Sequence, residues 1–221
     1  MRSNIREVCQ RLGRNADEIT LIGITKYADA KMIQEAIEAG LKNIGENKVQ
    51  DAMAKLGRLK NIKVVVKHFV GHLQTNKVKK VVELFDVIQS VDSIHLAEEI
   101  RKEAKKHNKT MDVLIQVNTS GEQQKFGISK AETELLVEEI SSLENIRVLG
   151  LMTIAPLTQD LEWIRKTFRS LRFLFDDLKK KYPLSTQVHM KHLSMGMTDD
   201  YTIALEEGAN MLRIGRAIFQ E

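Results

Sequence analysis

The sequence predicts an α/β protein that forms a single (β/α)8 TIM barrel. Strand-like and helix-like segments alternate along all 221 residues, and such alternation is typical of a parallel sheet. Eight strand-like segments are present, which is the number in a closed barrel. No GxGxxG sequence follows the first strand, so the main signal of an open dinucleotide-binding sheet is missing. No linker interrupts the alternation, and residues 1–221 are therefore expected to form one domain.

Each predicted strand is a short apolar run, often rich in β-branched side chains. The eight runs cover residues 19–26, 41–46, 64–71, 85–91, 112–118, 146–154, 187–194 and 210–218. A helical spacing of apolar residues follows each of the first seven, at residues 30–39, up to about 56, 77–84, 94–107, 129–142, 160–181 and 198–207. Ser129 is a predicted N-cap with Glu132 at capping-box spacing, and Gly40 and Gly208 close two other helices.

The composition argues against several classes of protein. The net charge of +4 comes from 34 basic and 30 acidic residues interspersed along helical segments, so we expect solvated helix faces and no nucleic-acid partner. Cys9 is the only cysteine, which rules out an intrachain disulfide and fits a reducing compartment. No segment has the apolar core of a signal peptide or the length of a membrane span. We therefore expect a cytoplasmic monomer with no membrane partner.

The functional residues are predicted at the mouth of the barrel, because active sites of this fold lie at the C-terminal ends of the strands. Lys26 ends the first strand, Ser194 and Gly196 follow the seventh, and Gly215 and Arg216 lie at the end of the eighth. Turns of small residues after strands seven and eight commonly bind phosphate. An amine that can form an imine, opposite a phosphate, points to pyridoxal 5'-phosphate. Taken singly, each feature also fits an ordinary surface lysine or loop glycine.

Arg213 is expected to point into the barrel mouth, because it alternates with the apolar residues Leu212 and Ile214. A buried guanidinium needs an acceptor, and a pyridine nitrogen or the carboxylate of Glu46 could supply it. A purely structural salt bridge inside the barrel is the alternative. Beside a pyridine nitrogen, an arginine that stays charged would keep that nitrogen unprotonated. Burial and the nearby charge of Arg213 would favour the neutral, nucleophilic form of Lys26.

The histidines do not predict a metal site. His68 and His72 are four residues apart, but they lie in a strand and a turn rather than on a helix. His189 and His192 fall on opposite faces of one strand. The residues at 74–76 either cap the following helix or line the pocket, and the sequence leaves both open.

Six segments resemble the pyridoxal phosphate homeostasis protein family, the single-domain relatives of the alanine racemase barrel. They run in the family's order over nearly the whole chain, at residues 24–26, 44–50, 68–77, 150–152, 193–200 and 213–219. The resemblance implies pyridoxal phosphate held as a Schiff base on Lys26, with Arg213 at the pyridine nitrogen. It implies phosphate contacts and ring contacts from a further set of residues: Ser194, Gly196, Gly215 and Arg216 at the phosphate, and Asn47 and Met152 near the ring.

Two departures from the family pattern stand out. Arg216 occupies a position where the family usually has threonine, so the backbone or the guanidinium must replace a hydroxyl contact to phosphate. The N-terminus is also shorter than usual by about one helix, so the sequence does not establish how the bottom of the barrel is closed.

The resemblance implies a cofactor-binding and carrier protein of vitamin B6 homeostasis, without robust catalysis, whose partners include apo-enzymes that receive the cofactor. The alternative is a racemase-like enzyme that uses the same cofactor. Racemases of this lineage carry a second domain that supplies a tyrosine base, whereas this chain ends at Glu221. None of Tyr27, Tyr182 and Tyr201 is in a matching position, and proton exchange on both faces needs two bases. A phosphate-binding barrel without pyridoxal phosphate is the third hypothesis.

Overall fold

A computed structural model describes residues 1–183 and 185–220 and shows a closed barrel of eight parallel strands inside a layer of helices. The predicted fold class is therefore confirmed. Glu221, the end of the predicted domain, lies outside the described residues. In order around the barrel the strands are β1 (Thr20–Ile24), β2 (Asn43–Glu46), β3 (Val66–Phe69), β4 (Val87–Val91), β5 (Met111–Asn118), β7 (Ile146–Met152), β8 (Val188–Ser194) and β9 (Met211–Ile214). Pairing of β9 with β1 closes the barrel.

A ninth strand, β6 (Ile128–Ser129), is only two residues long and pairs with the end of β5. It leads into a helix that Ser129 caps by accepting a hydrogen bond from the Glu132 N–H, as the capping-box spacing predicts. The helices are α1 (Arg2–Arg11), α2 (Ala30–Glu38), α3 (Val49–Leu56), α4 (Val78–Leu84), α5 (Ile94–Lys106), α6 (Lys130–Ser141), α7 (Leu161–Lys181), α8 (Tyr201–Glu206) and α9 (Arg216–Phe219).

The last predicted strand, at residues 210–218, is wrong in its second half. Strand β9 ends at Ile214, and the chain turns at Gly215 into the short helix α9. The Gly215 carbonyl accepts hydrogen bonds from the N–H groups of Ile218 and Phe219. The turn buries Phe219, whose ring lies against Gly23 of β1. Apolar residues at helical spacing looked like a continued strand because the run is short.

Apolar side chains fill two separate regions. The larger core lies between the strands and the helices, and it includes Cys9 of α1, whose thiol pKa is raised by burial. A small second cluster inside the barrel consists of Ile22, Leu114, Met152 and Met211. Buried polar side chains also lie among the strands, and several of them form the site described below. Within residues 1–183 and 185–220, none of the helices has the length and apolar character that a membrane crossing requires.

A close approach between β7 and β8 requires glycine at position 150. Gly150 has a φ of 150°, and the pairing register between the two strands shifts at this point. A Cβ at Gly150 would lie 1.9 Å from the backbone oxygen of His192, which no side-chain rotation can relieve. This register shift, a β-bulge, therefore determines how far along the barrel axis Ser194 of β8 lies.

We expect Gly150→Ala to lower the free energy of unfolding by about 2 kcal/mol or more, because backbone must move to admit the methyl group. The matched control is Gly57→Ala at the end of α3, where φ is −66° and no neighbouring atom lies within 4 Å of the place that the new methyl group would take. That control should be neutral or stabilising by up to about 1 kcal/mol. Urea unfolding of both variants measures the difference, and equal stabilities would contradict this account of the bulge.

Candidate functional site

The predicted site residues lie at one end of the barrel, because each follows or ends a parallel strand. Lys26 comes two residues after β1, Asn47 follows β2, and Ser194 ends β8. Met152 ends β7 and pairs in register with Ser194, which in turn pairs with Met211 of β9. Arg213 therefore lies two residues nearer to the mouth than the level of Met152 and Ser194.

The backbone before Lys26 is held firmly, but the lysine side chain is exposed. The Thr25 N–H donates to the Gly45 carbonyl at 2.9 Å, and the Thr25 hydroxyl donates to Glu46 Oε1 at 2.7 Å. The Lys26 Nζ atom lies 4.8 Å from the centre of the Tyr27 ring. The expectation that the Lys26 side chain is buried is thus wrong for this structure.

Glu46 pairs with Lys55 and not with Arg213, so the proposed Glu46–Arg213 contact is wrong. The Lys55 Nζ atom lies 2.9 Å from Glu46 Oε1 and also donates to the Thr25 carbonyl at 2.8 Å. Glu46 is buried, and its second oxygen, Oε2, has no hydrogen-bond partner in the described part of the chain. Lys55 was not predicted, because a lysine on an amphipathic helix gives no sign that its amine reaches a neighbouring strand.

Arg213 is the buried cation of the site, with only 4% of its surface exposed. Its guanidinium donates to the Ser194 hydroxyl and to the Thr153 carbonyl, each at 2.7 Å. Among the described residues, no carboxylate lies within ion-pair distance of it. Burial lowers the pKa of Arg213 to about 10, while the more distant charge of Asp200 opposes that shift. The group remains charged at neutral pH, so it retains donors and positive charge for a ligand.

A chain of hydrogen bonds runs from Arg213 across the barrel interior. The Ser194 hydroxyl, which accepts from Arg213, donates to Gln89 Oε1 at 2.7 Å. Gln89 Nε2 donates to His68 Nδ1 at 3.0 Å, and His68 Nε2 lies 3.1 Å from Asn43 Oδ1. Burial lowers the pKa of His68 to about 3, so its ring is neutral.

Gln89 was missed in the sequence, although a signal was present. All five residues of β4 are buried, and Gln89 and Ser90 are the only polar ones among them. A glutamine in such a strand must find partners inside the barrel. That argument could have singled it out.

The loops after β8 and β9 form the predicted phosphate region. Gly196 has a φ of 98°, and a Cβ there would lie 2.6 Å from the Ala204 Cβ, so packing and backbone both require glycine. The backbone N–H groups of Gly196, Gly215 and Arg216 donate no hydrogen bond to any other described residue. The Arg216 guanidinium forms an ion pair with Asp199, which ties the two loops together. Donors without acceptors at adjacent turns are suited to an anion.

The hydroxyl predicted for this region points elsewhere. Ser194 is fully buried, and its single proton is already donated to Gln89. Thr198, four residues further along the same loop, is half-buried and makes no side-chain hydrogen bond to the rest of the described chain. Thr198 was not among the predicted site residues.

Asn47 and Met152 differ in what they offer. The Asn47 side-chain oxygen is buried without a hydrogen-bond partner among the described residues, and its backbone packs closely on Gly71. Met152 is fully buried in the interior cluster beside Ile22. Asn47 therefore has a free acceptor at the mouth, whereas Met152 can only form part of an apolar floor.

Several other predicted features lie at the edge of the mouth. Gln74 occupies an N-cap position, but its side chain makes no capping hydrogen bond, so that capping prediction is wrong for Gln74. The residues at 74–76 instead line an open groove with Asp92 and Ser93. The His72 ring stacks on Phe126, with ring centres 3.9 Å apart. No three His, Cys, Asp or Glu side chains are grouped to hold a metal ion within the described ranges.

The open volume next to Lys26 is small. A cavity of about 20 Å³ lies between Lys26, Gly215 and Arg216, while grooves of about 410–540 Å³ lie elsewhere on the surface. The larger grooves contain none of the predicted cofactor-binding residues.

Comparison with known proteins finds full-length matches. The model of the alanine racemase N-terminal domain family matches residues 1–221. A pyridoxal phosphate homeostasis protein of Aquifex aeolicus is 42% identical over 217 residues, covering 98% of this chain and 93% of the relative. A protein of the same name from Escherichia coli is 37% identical, covering 99% of this chain and 92% of the relative.

Solved structures give the same result. PipY of Synechococcus elongatus, with pyridoxal phosphate (PLP) bound, is 33% identical with a TM-score of 0.85, and the match covers 97% of this chain and 99% of PipY. Alanine racemase of Clostridium difficile is 15% identical with a TM-score of 0.76, and the match covers 99% of this chain but 55% of the racemase. The racemase likeness shows the fold alone.

The buried, neutral His68 predicts a pH dependence of stability. Its pKa is lower in the folded protein than the value of 6.5 for an exposed histidine, so the unfolded chain binds more protons below that pH. Folding stability from this group is complete above about pH 6.5 and is lost as the pH falls towards 3. We expect the free energy of unfolding to fall by about 1 kcal/mol between pH 7 and pH 5.5.

Urea unfolding at several pH values measures this slope in the wild type and in His68→Gln, which keeps a polar side chain. The variant should lose most of the slope above pH 5.5. Burial also lowers the pKa of His192, so a smaller slope remains. Identical slopes in the two proteins would show that His68 binds protons equally in the folded and unfolded states, which would contradict its burial as a neutral ring.

Proposed function

The chain belongs to the pyridoxal phosphate homeostasis protein family, whose barrel is that of the alanine racemase N-terminal domain, and we propose that it binds pyridoxal 5'-phosphate in the barrel mouth. In this proposal it takes part in intracellular control of the level of this vitamin B6 cofactor. The naming of the relatives supports the role, and PipY supports the ligand. The geometry of the mouth supplies the residues that would hold it.

One observation carries the proposal: Arg213 is a buried cation at the same end of the barrel as Lys26, and no carboxylate of the described residues lies within ion-pair distance of it. A buried guanidinium retains a strong preference for an acceptor. A pyridine nitrogen accepts one hydrogen bond and carries no proton of its own when an arginine faces it. The unpartnered oxygen of Asn47 supports a ligand with polar substituents beside the ring.

The phosphate is proposed to lie between the loops after β8 and β9. The free N–H groups of Gly196, Gly215 and Arg216 would donate to it, and the Arg216 side chain can exchange Asp199 for the phosphate. The Ser194 hydroxyl would contribute indirectly, because its proton is engaged with Gln89. We propose Thr198 as the hydroxyl donor instead.

Lys26 is proposed to hold the cofactor covalently as a Schiff base, which is the chemistry that pyridoxal phosphate performs with amines. The hydrogen bond of Thr25 to Glu46 fixes the backbone next to Lys26, and the exposed Lys26 side chain would extend to the cofactor. Met152 would form part of the floor beneath the ring.

We further propose that the protein carries the cofactor and does not racemise amino acids. Racemisation needs a proton donor on each face of the substrate, and among the described residues the proposal assigns that role to Lys26 alone. Tyr27 is 72% exposed, while Tyr182 and Tyr201 lie at the ends of α7 and α8. Formation of D-amino acids at enzyme-like rates that disappears in Lys26→Ala would favour the racemase-like enzyme.

Apo-enzymes are the proposed recipients of the cofactor. Large apolar side chains are exposed on the loops that surround the mouth, and such patches often mark protein contacts. They include Tyr27, Phe126, Ile154, Leu157 and Met197.

The covalent bond is tested by mixing the purified protein with pyridoxal phosphate, reducing with borohydride and mapping the labelled peptide. We expect the label on Lys26 and its loss in Lys26→Ala, with the thermal transition little changed because the side chain is exposed. Lys77→Ala, a lysine from the neighbouring groove region, is the control and should keep the label. Labelling of Lys67, Lys77 or Lys191 in the wild type would overturn the assignment.

The phosphate site is tested by comparing the affinities for pyridoxal phosphate and for pyridoxal. Loss of several charge-assisted hydrogen bonds should weaken binding by well over tenfold. Thr198→Val should weaken binding of the phosphorylated form and leave pyridoxal binding nearly unchanged. Ser194→Ala should affect both, because it acts through Arg213. Equal affinities for the two vitamers in the wild type would exclude the proposed phosphate site.

A further inference from the structure

Gln89 connects strands that are not neighbours. It lies on β4, while Ser194 lies on β8, and two other strands separate them around the barrel on one side. Its amide oxygen accepts from Ser194 at 2.7 Å, and its amide nitrogen donates to His68 of β3 at 3.0 Å. Gln89 is fully buried, so both ends of the amide must be satisfied inside the barrel. It therefore spans the interior between the two sides of the site.

The charge of Arg213 determines the direction of every hydrogen bond in this chain. Arg213 can only donate, so the Ser194 oxygen accepts from it and the Ser194 proton goes to Gln89. That orientation turns the Gln89 amide nitrogen towards His68 Nδ1. His68 must then be neutral, with its proton on Nε2 and donated to Asn43. The reversed amide would leave the Ser194 proton without an acceptor.

A glutamine at this position is electrically neutral, and that affects Arg213. A glutamate would place a carboxylate one hydroxyl away from the guanidinium and would largely neutralise its charge. With glutamine, the two acceptors of Arg213 in the described part of the chain, Ser194 and the Thr153 carbonyl, are both neutral. The amide thus holds the Ser194 hydroxyl in place while leaving the full positive charge for a ligand.

We propose that Gln89 is a positioning residue of the cofactor site, which orients Arg213 through Ser194 and preserves its uncompensated charge. The effect of Gln89 on ligand binding rests on the proposed function, in which pyridoxal phosphate is the ligand of Arg213. The chain of hydrogen bonds itself exists without any ligand, and it can be tested in the protein alone.

The first test is nitrogen NMR of histidine side chains in the protein without cofactor, at pH 7. We expect His68 to be neutral with its proton on Nε2. In Gln89→Glu the carboxylate can only accept, so His68 must carry a proton on Nδ1, either as the other tautomer or as the cation. The control is Gln116→Glu, because Gln116 is also buried in the barrel but donates to the Phe126 carbonyl, outside this chain of hydrogen bonds.

The second test is titration of the same proteins with pyridoxal phosphate. Gln89→Leu should weaken binding by about tenfold, because Arg213 loses its oriented acceptor. Gln89→Glu should bind with an altered pH dependence of the cofactor absorption, since the charge beside the ring nitrogen is reduced. Gln116→Leu should stay within about threefold of the wild type.

A wild-type His68 that is charged, or that carries its proton on Nδ1, would overturn the proposal without any variant. The proposal would also be overturned if the Gln89→Glu and Gln89→Leu proteins matched the wild type in the protonation state of His68, in the affinity for pyridoxal phosphate and in the absorption spectrum of the bound cofactor. If the wild type does not bind pyridoxal phosphate at all, the proposed function fails, and the histidine spectra still decide whether Gln89 orients the chain of hydrogen bonds.

Discussion

The site depends on a guanidinium charge that is buried in the barrel and has no carboxylate beside it within residues 1–183 and 185–220. Removing such a charge from water costs several kcal/mol unless hydrogen bonds replace the lost hydration. Arg213 obtains two acceptors, Ser194 and the Thr153 carbonyl, and both are neutral. Because these acceptors are neutral, Arg213 remains a cation at the end of the barrel where Lys26 lies.

The polar chain and the apolar cluster share the barrel interior side by side. Met152 pairs in register with Ser194, and the Gln89 amide contacts the sulfur of Met211 at 3.3 Å. The apolar side chains exclude water from the neighbouring hydrogen bonds, and a low local dielectric strengthens them. The same surroundings keep His68 neutral.

Much of the architecture could be predicted from the sequence, because the alternation of strands and helices is a local pattern. It predicts all eight barrel strands and places Lys26 and the two glycine turns at one end. The pattern fails at residues 210–218, where a short apolar run contains both the end of β9 and the helix α9. A run of that length does not distinguish strand from helix without its tertiary contacts.

The partners of the polar side chains could not be predicted in the same way. The contact of Glu46 with Lys55, rather than with Arg213, depends on how α3 packs against β1 and β2. The contact of Ser194 with Gln89 joins residues 105 positions apart across the barrel. No local pattern encodes such a distance. A polar residue inside a wholly buried strand does show that a partner exists, and only the structure shows which one it is.

The protonation state of the ring nitrogen of bound pyridoxal phosphate tests the central claim most directly. Nitrogen NMR of the wild-type protein loaded with cofactor labelled at the pyridine nitrogen reports this state. The account predicts an unprotonated nitrogen that accepts a hydrogen bond from Arg213, because two adjacent positive charges in a buried site repel each other. A protonated pyridinium at neutral pH would contradict it, and would mean that Arg213 has another partner when the cofactor is bound.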